Sequence, residues 1–153
     1  VSIPVVGGGQ ASCLLAPLVG RQAGLLLADT ARYAEKQLFV AQCGVDPARI
    51  AAIGGIEARG VDLWAERERV LDLLTEAGKN LLAAGRVQVL LLGCLSFLGL
   101  AHPLSERLGV PVVDPAVAPV ALAECLVRQG LKTSRKAYPA PPMRKRTWQS
   151  GQL

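Results

Sequence analysis

The feature that most limits what this chain can fold into is the alternation of short, continuous apolar runs with longer stretches of helical period. Residues 23–28, 50–56, 87–92 and 110–113 are apolar runs too short to be helices. They are also too continuous for strands with one wet face, which suits strands buried on both sides. Residues 3–6, β-branched and ending at a glycine triplet, read as a further short strand. Between the runs, the spacing predicts helices over 11–19, 31–43, 61–84, 103–108 and 116–128. In 61–84, Leu63, Val70, Leu71, Leu74, Leu81 and Leu82 recur at helical spacing, with Glu66, Arg67, Glu68 and Arg69 on the wet side. Asp29 or Thr30 can cap the helix from 31, and Gly44 and Gly130 stand where helices should close. Strands alternating with helices force right-handed crossovers, so the expected class is α/β: a mostly parallel sheet flanked by helices on both faces.

Composition narrows the classes further. A chain of 153 residues suffices for one ordinary core. With 51% hydrophobic but only 4% aromatic residues, that core must be built from Leu, Val, Ala and Ile. Glycine, cysteine and proline interrupt every apolar stretch well short of the ~20 residues that a membrane span needs. The opening VSIPVVGGGQ lacks the basic start and cleavage site of a secretory signal. Cys13, Cys43, Cys94 and Cys125 occur singly, as thiols of a reducing compartment do, and the expected location is cytoplasmic. One histidine with scattered thiols cannot complete a metal ligand set, so no metal is expected. The net charge of +5 is uneven: the chain from Arg128 on carries seven Lys or Arg and no acid, leaving 1–127 with ten basic and twelve acidic side chains. The end, KAYPAPPMRKRTWQSGQL, is expected to be disordered after about Pro142. Its RKRTW places basic and aromatic residues together, yet such clusters commonly end soluble chains, and nucleic acid is not an expected partner.

The predicted strands end in residues 7–9, 28–30, 54–55, 93–96 and 114–115, and in this fold class a ligand lies over such ends. The triplet Gly7, Gly8 and Gly9 can let a backbone approach a ligand or simply turn sharply; GGGQAS lacks the lysine and spacing of a phosphate loop. Cys94 ends the run VQVLLLGC. It reads either as a small buried hydrophobe or as a reactive thiol placed before a helix.

Three segments in order and spacing, IPVVGGGQAS (3–12), VLLLGCLSFLGLAHPLSERLGVPVVDPAVAPVALAE (89–124) and GLKTSRKAYPAPP (130–142), resemble the Asp/Glu/hydantoin racemase superfamily, in its hydantoin and allantoin racemase branch. The resemblance covers nearly the whole chain but roughly the carboxyl-terminal two thirds of a usual member. It implies one half of a two-domain racemase fold, with 1–22 a strand and helix of the first half-domain, 23–130 an α/β racemase-like domain and 131–153 a basic, Pro-rich tail. The implied activity is cofactor-independent racemisation of a hydantoin, allantoin or an amino acid. One thiolate takes the proton from a carbon beside a carbonyl, and a thiol on the opposite face returns one. Cys94 matches the second family cysteine, and a helix after it would favour its thiolate. The resemblance implies Gly93, Leu95, Ser96, Gly8, Gln10, Thr30, Lys132 and Thr133 as substrate-binding positions, with the 93–97 amides and the Ser96 hydroxyl as donors to the developing oxyanion.

Departures accompany the matches. The first family cysteine lies upstream of the segment at residue 3, in a half this chain does not contain. Cys13 falls inside a predicted helix and should face the core. Gln10 replaces a glutamate of the branch, and LADTARY (27–33) departs from its Thr-rich segment. The chain opens with valine, which fits a fragment, a processed product or a reading frame assigned too far downstream. The expected partners are a small-molecule substrate and either further copies of the chain or the missing amino-terminal half. His102 can be a base or a surface residue, and Asp114 can orient a ligand or cap the turn before Pro115. Lys132, Thr133 and Ser134 are expected to close over the site, and Cys43 and Cys125 to be inert packing residues. A non-catalytic binding or oligomerising remnant of the family, and a thiol hydrolase working through a covalent adduct, are the competing readings.

Overall fold

The computed structural model describes residues 3–58 and 60–139. Four strands, β1 (Ala23–Leu27), β2 (Ile50–Gly55), β3 (Val89–Leu92) and β4 (Val112–Val113), form one parallel sheet in the order β2-β1-β3-β4. Helices α1 (Gly8–Val19), α2 (Tyr33–Gln42), α3 (Arg67–Ala83) and α4 (Ala101–Leu108) cover it, and α5 (Val117–Arg128) packs on α1. The α/β expectation with helices on both faces is met. Side-chain alternation along the two central strands divides the core. Leu26, Leu90 and Leu92 point to one face, among Val70, Leu71 and Leu74 of α3, Phe97, and Leu104 of α4. Ala23, Leu25, Leu27, Val89 and Leu91 point to the other, among Cys13 and Ala16 of α1, Val40 of α2 and Cys43. Every residue of β1 and β3 is buried, which is why these runs lack polar alternation. No helix among the described residues is long and apolar enough to cross a membrane.

Several boundaries differ from the sequence expectation, each for a local reason. Residues 3–6 form no strand: Pro4 offers no backbone donor, and Ile3 and Val5 are exposed with no neighbouring strand. Gly8 and Gly9 do not make a turn before α1 but are its first residues. The long helix begins at Arg67, not at 61, because Asp62 diverts the backbone. Its carboxylate accepts from the Trp64 and Ala65 amides (both 2.9 Å), while Glu66 Oε1 accepts from the Asp62 amide (3.0 Å). Hydrogen bonds from the Ala65 and Trp64 amides hold the Asp62 carboxyl below its ordinary range. Gly44 and Gly130 take positive φ, 75° and 70°, just past α2 and α5, as foreseen. Cys125 is exposed on α5, contrary to the packing role expected of it, whereas Cys43 is buried. RKRTW and the segment after Pro142 lie outside the described residues.

Candidate functional site

At the carboxyl end of β3 a cavity of about 190 Å³ lies between the first turn of α1 and the α2 helix. Gly8, Gly9, Ser12 and Cys13 line it from α1, and Lys36, Phe39 and Val40 from α2. Leu25, Leu91, Leu92, Gly93, Leu95 and Pro115 close it from the sheet and its loops. Three of the sequence-derived site residues, Gly8, Gly93 and Leu95, therefore meet at one place.

The glycines are there for close approach. A Cβ on Gly8 would lie 2.5 Å from the Pro115 carbonyl oxygen, and one on Gly9 would lie 2.6 Å from the Phe39 ring. One on Gly93 would lie 2.9 Å from the Leu26 carbonyl oxygen, to which the Gly93 amide donates (2.7 Å). First-turn amides of α1 have no partner inside the helix, and they give its amino end a partial positive charge. Ser12 is buried and spends its hydroxyl on the Gly8 carbonyl (3.0 Å).

Cys94 stands on the rim. The residue before it and the residue after it line the cavity, but its own half-buried side chain packs toward the α3 and α4 core, as strand alternation requires. Directly after it comes only a 3₁₀ turn, Leu95–Phe97, and the expected helix, α4, starts at Ala101, so little helix dipole acts on the thiol. Of the proposed oxyanion donors, Gly93 is engaged with Leu26, and Phe97 donates to the Cys94 carbonyl (3.1 Å). Leu95 and Ser96 begin the 3₁₀ turn, where amides have no partner within the turn itself.

Two residues hold this loop: Arg67, which the sequence read only as part of a solvated face, and Asp114, read as a ligand-orienting or capping residue. The Arg67 guanidinium donates to the Ser96 carbonyl (3.1 Å) and to the Leu98 carbonyl, while stacking 5.3 Å from the Trp64 ring centroid. Asp114 takes the capping role: Oδ2 accepts from the Gly99 amide (2.8 Å) and Oδ1 from the Ala116 and Val117 amides (2.8 and 3.3 Å). The remaining candidates lie off the cavity lining. Gln10 is exposed on α1, and Thr30 gives its hydroxyl to Glu57. Thr133 donates to the Ile3 carbonyl (3.2 Å), and Lys132 beside it is exposed, so this segment secures the start of the chain and does not close over the cavity. His102 is a surface residue, its side chain 85% exposed and 3.6 Å from Glu106.

Cys13 reaches the cavity wall but is only 4% exposed. Burial first, then the neighbouring Cys43 and a hydrogen bond to it, push the Cys13 thiol up to about 12. Burial likewise raises Cys43, and the bond from Cys13 partly offsets this. No cluster of metal-ligating side chains occurs among the described residues.

Comparison with known proteins gives a consistent answer. A family model described as Asp/Glu/hydantoin racemase matches residues 1–123. The hydantoin racemase of Paenarthrobacter aurescens is 38% identical over 84 residues, which is 54% of this chain and 36% of that protein. An allantoin racemase structure from Klebsiella pneumoniae superposes with a TM-score of 0.82 at 24% identity, over 95% of this chain and 60% of that one. The allantoin racemase from Pseudomonas fluorescens gives 0.73 at 28% identity, over 97% and 63%. This chain thus spans about three fifths of the structures it resembles, and its match covers about a third of the curated relative.

Proposed function

The chain belongs to the Asp/Glu/hydantoin racemase family, and from that premise we propose that it supplies one half of a cofactor-independent, two-thiol racemase site acting at a carbon beside a carbonyl. The substrate class is a hydantoin, allantoin or an amino acid. The observation that carries this reading is the position of Cys94, half-buried at the end of β3 with both chain neighbours lining the cavity. In this reading the Cys94 thiolate removes the proton, and negative charge grows on the substrate carbonyl oxygen. Amides of Leu95 and Ser96, next to Cys94 in the chain, receive that charge. A second acid/base group returns a proton to the opposite face. Cys13 does not suit that role, since its thiol is enclosed and hydrogen-bonded to Cys43. His102 does not suit it either, being on the outer surface of α4. The second group therefore comes from another copy or from the half of the family fold that this chain does not contain. Such thiol chemistry requires cysteines kept reduced, which accords with a cytoplasmic setting.

The same observation favours a second reading. A chain whose Cys94 has no opposing group among the described residues is also what a ligand-binding remnant would look like. Racemisation of a 5-substituted hydantoin, allantoin and free amino acids, followed by circular dichroism and by deuterium uptake from solvent, separates the two. The expectation is weak or no turnover by the 153-residue chain alone. In the full-length gene product, turnover should fall by roughly 10²–10⁴-fold on Cys94→Ser, the range of a lost general acid or base. Full-length turnover insensitive to Cys94→Ser sinks the assignment of Cys94 as an acid/base thiol, and absence of turnover with every substrate favours the binding module. A substrate-derived acyl adduct on Cys94 would instead indicate a hydrolase.

A further inference from the structure

We propose that the cavity under Gly8 and Gly9 is an anion site, in which Lys36 selects a small carboxylate with a short, branched apolar body. That this carboxylate belongs to the substrate rests on the racemase reading with an amino acid as substrate, since neither the hydantoin ring nor allantoin carries one; the binding itself does not.

Charge is the first observation. Among the described residues that line the cavity, Lys36 carries the only full charge, and none is Asp or Glu. The one other ionisable group, Cys13, stays a neutral thiol because it is buried against Cys43, so it cannot answer the lysine. No carboxylate of the described residues pairs with Lys36. A half-buried lysine on the wall of an apolar cavity with no acid beside it is placed to receive an anion.

Geometry is the second. The Lys36 ammonium sits 5.5 Å from the centroid of the Phe39 ring, which holds it by cation–π attraction. The edge of that ring in turn fills the space beside Gly9. Lysine, ring and helix start therefore form one continuous wall, and the unpaired amides of the α1 first turn add to the positive side of the cavity.

The rest of the lining decides the body of the ligand. Leu25, Val40, Leu91 and Leu92 offer hydrocarbon surface, not hydrogen-bonding partners. At about 190 Å³ the cavity slightly exceeds the ~150 Å³ apolar cavity that accepts benzene in another protein. A branched four- or five-carbon acid suits both the volume and the wall, whereas an uncharged ring would leave the ammonium without a partner.

Isothermal titration of the 153-residue chain with isovalerate and with its neutral isostere isovaleramide tests this. The expected result is isovalerate binding at least about tenfold tighter than the amide. Lys36→Met should bring isovalerate down to the level of the amide, and Lys36→Arg should keep it within about threefold of the parent. The thermal midpoint of each ligand-free variant confirms that it is folded. Equal affinity for the two probes, no isovalerate binding, or unchanged binding by Lys36→Met would each overturn the anion site. If carboxylate selectivity is found but the full-length gene product shows no Cys94-dependent racemisation, the racemase reading fails and the anion site stands.

Discussion

The two faces of the sheet are built from different materials. On one, α3 and α4 press Val70, Leu74, Phe97 and Leu104 against Leu26, Leu90 and Leu92, all within 1% of complete burial. On the other, α1 contributes small residues, Ala11, Ser12, Cys13 and Ala16, and glycines at its start, and the space left open beside them is the cavity. A site is placed where packing stops short, and the opposite face supplies the stability that an unfilled pocket cannot.

That contrast can be broken by experiment. The largest effect on folding is expected from Phe97→Ala, which should cost about 3–5 kcal/mol in denaturant unfolding, since a fully buried ring leaves a hole that close packing cannot close. Leu74→Ala should follow at about 3–4 kcal/mol, whereas Leu25→Ala, at a wall already bordering empty space, should cost nearer ~2 kcal/mol. Equal costs for Leu74 and Leu25 would mean the faces are packed alike. Gly8→Ala should cost about 1–3 kcal/mol, as its methyl would meet the Pro115 carbonyl, and should weaken ligand binding more than it lowers the unfolding midpoint. The smallest effect is one of pH. Cys13 holds its proton more tightly folded than unfolded, so its contribution is fully present below about pH 9 and declines as pH rises toward about 12. Cys13→Ala should flatten this alkaline decline; an unchanged slope would show that Cys13 is not its source.

Much of the fold was legible in the sequence because it follows from apolar continuity: runs around 23–27 and 89–92 could be buried only in the centre of a parallel sheet. What was not legible was decided by side chains competing with the backbone. Asp62 delays α3 through its own hydrogen bonds, and Pro4 with exposed flanks leaves the start of the chain unpaired. The site divides in the same manner. Gly8, Gly93 and Leu95 could be found from strand ends and motif resemblance. Lys36, Phe39 and Arg67 could not: nothing in the predicted 31–43 helix marked the first two, the charge run holding Arg67 read as a solvated face, and only tertiary packing turns them toward the strand-end loops. Cys94 follows β3, as the run VQVLLLGC suggested, but its orientation depends on strand parity, which sends it across the sheet edge from the cavity.

The Asp114 carboxylate links amides on two loops, Gly99 at fifteen residues' remove and Ala116 and Val117 beside it. Mechanically this is a cross-brace: the loop behind β4, which carries Pro115 over Gly8, and the loop behind β3, which carries Leu95, are displaced together or not at all. A substitution near residue 115 is therefore transmitted to the stretch that follows Cys94 without passing through the sheet.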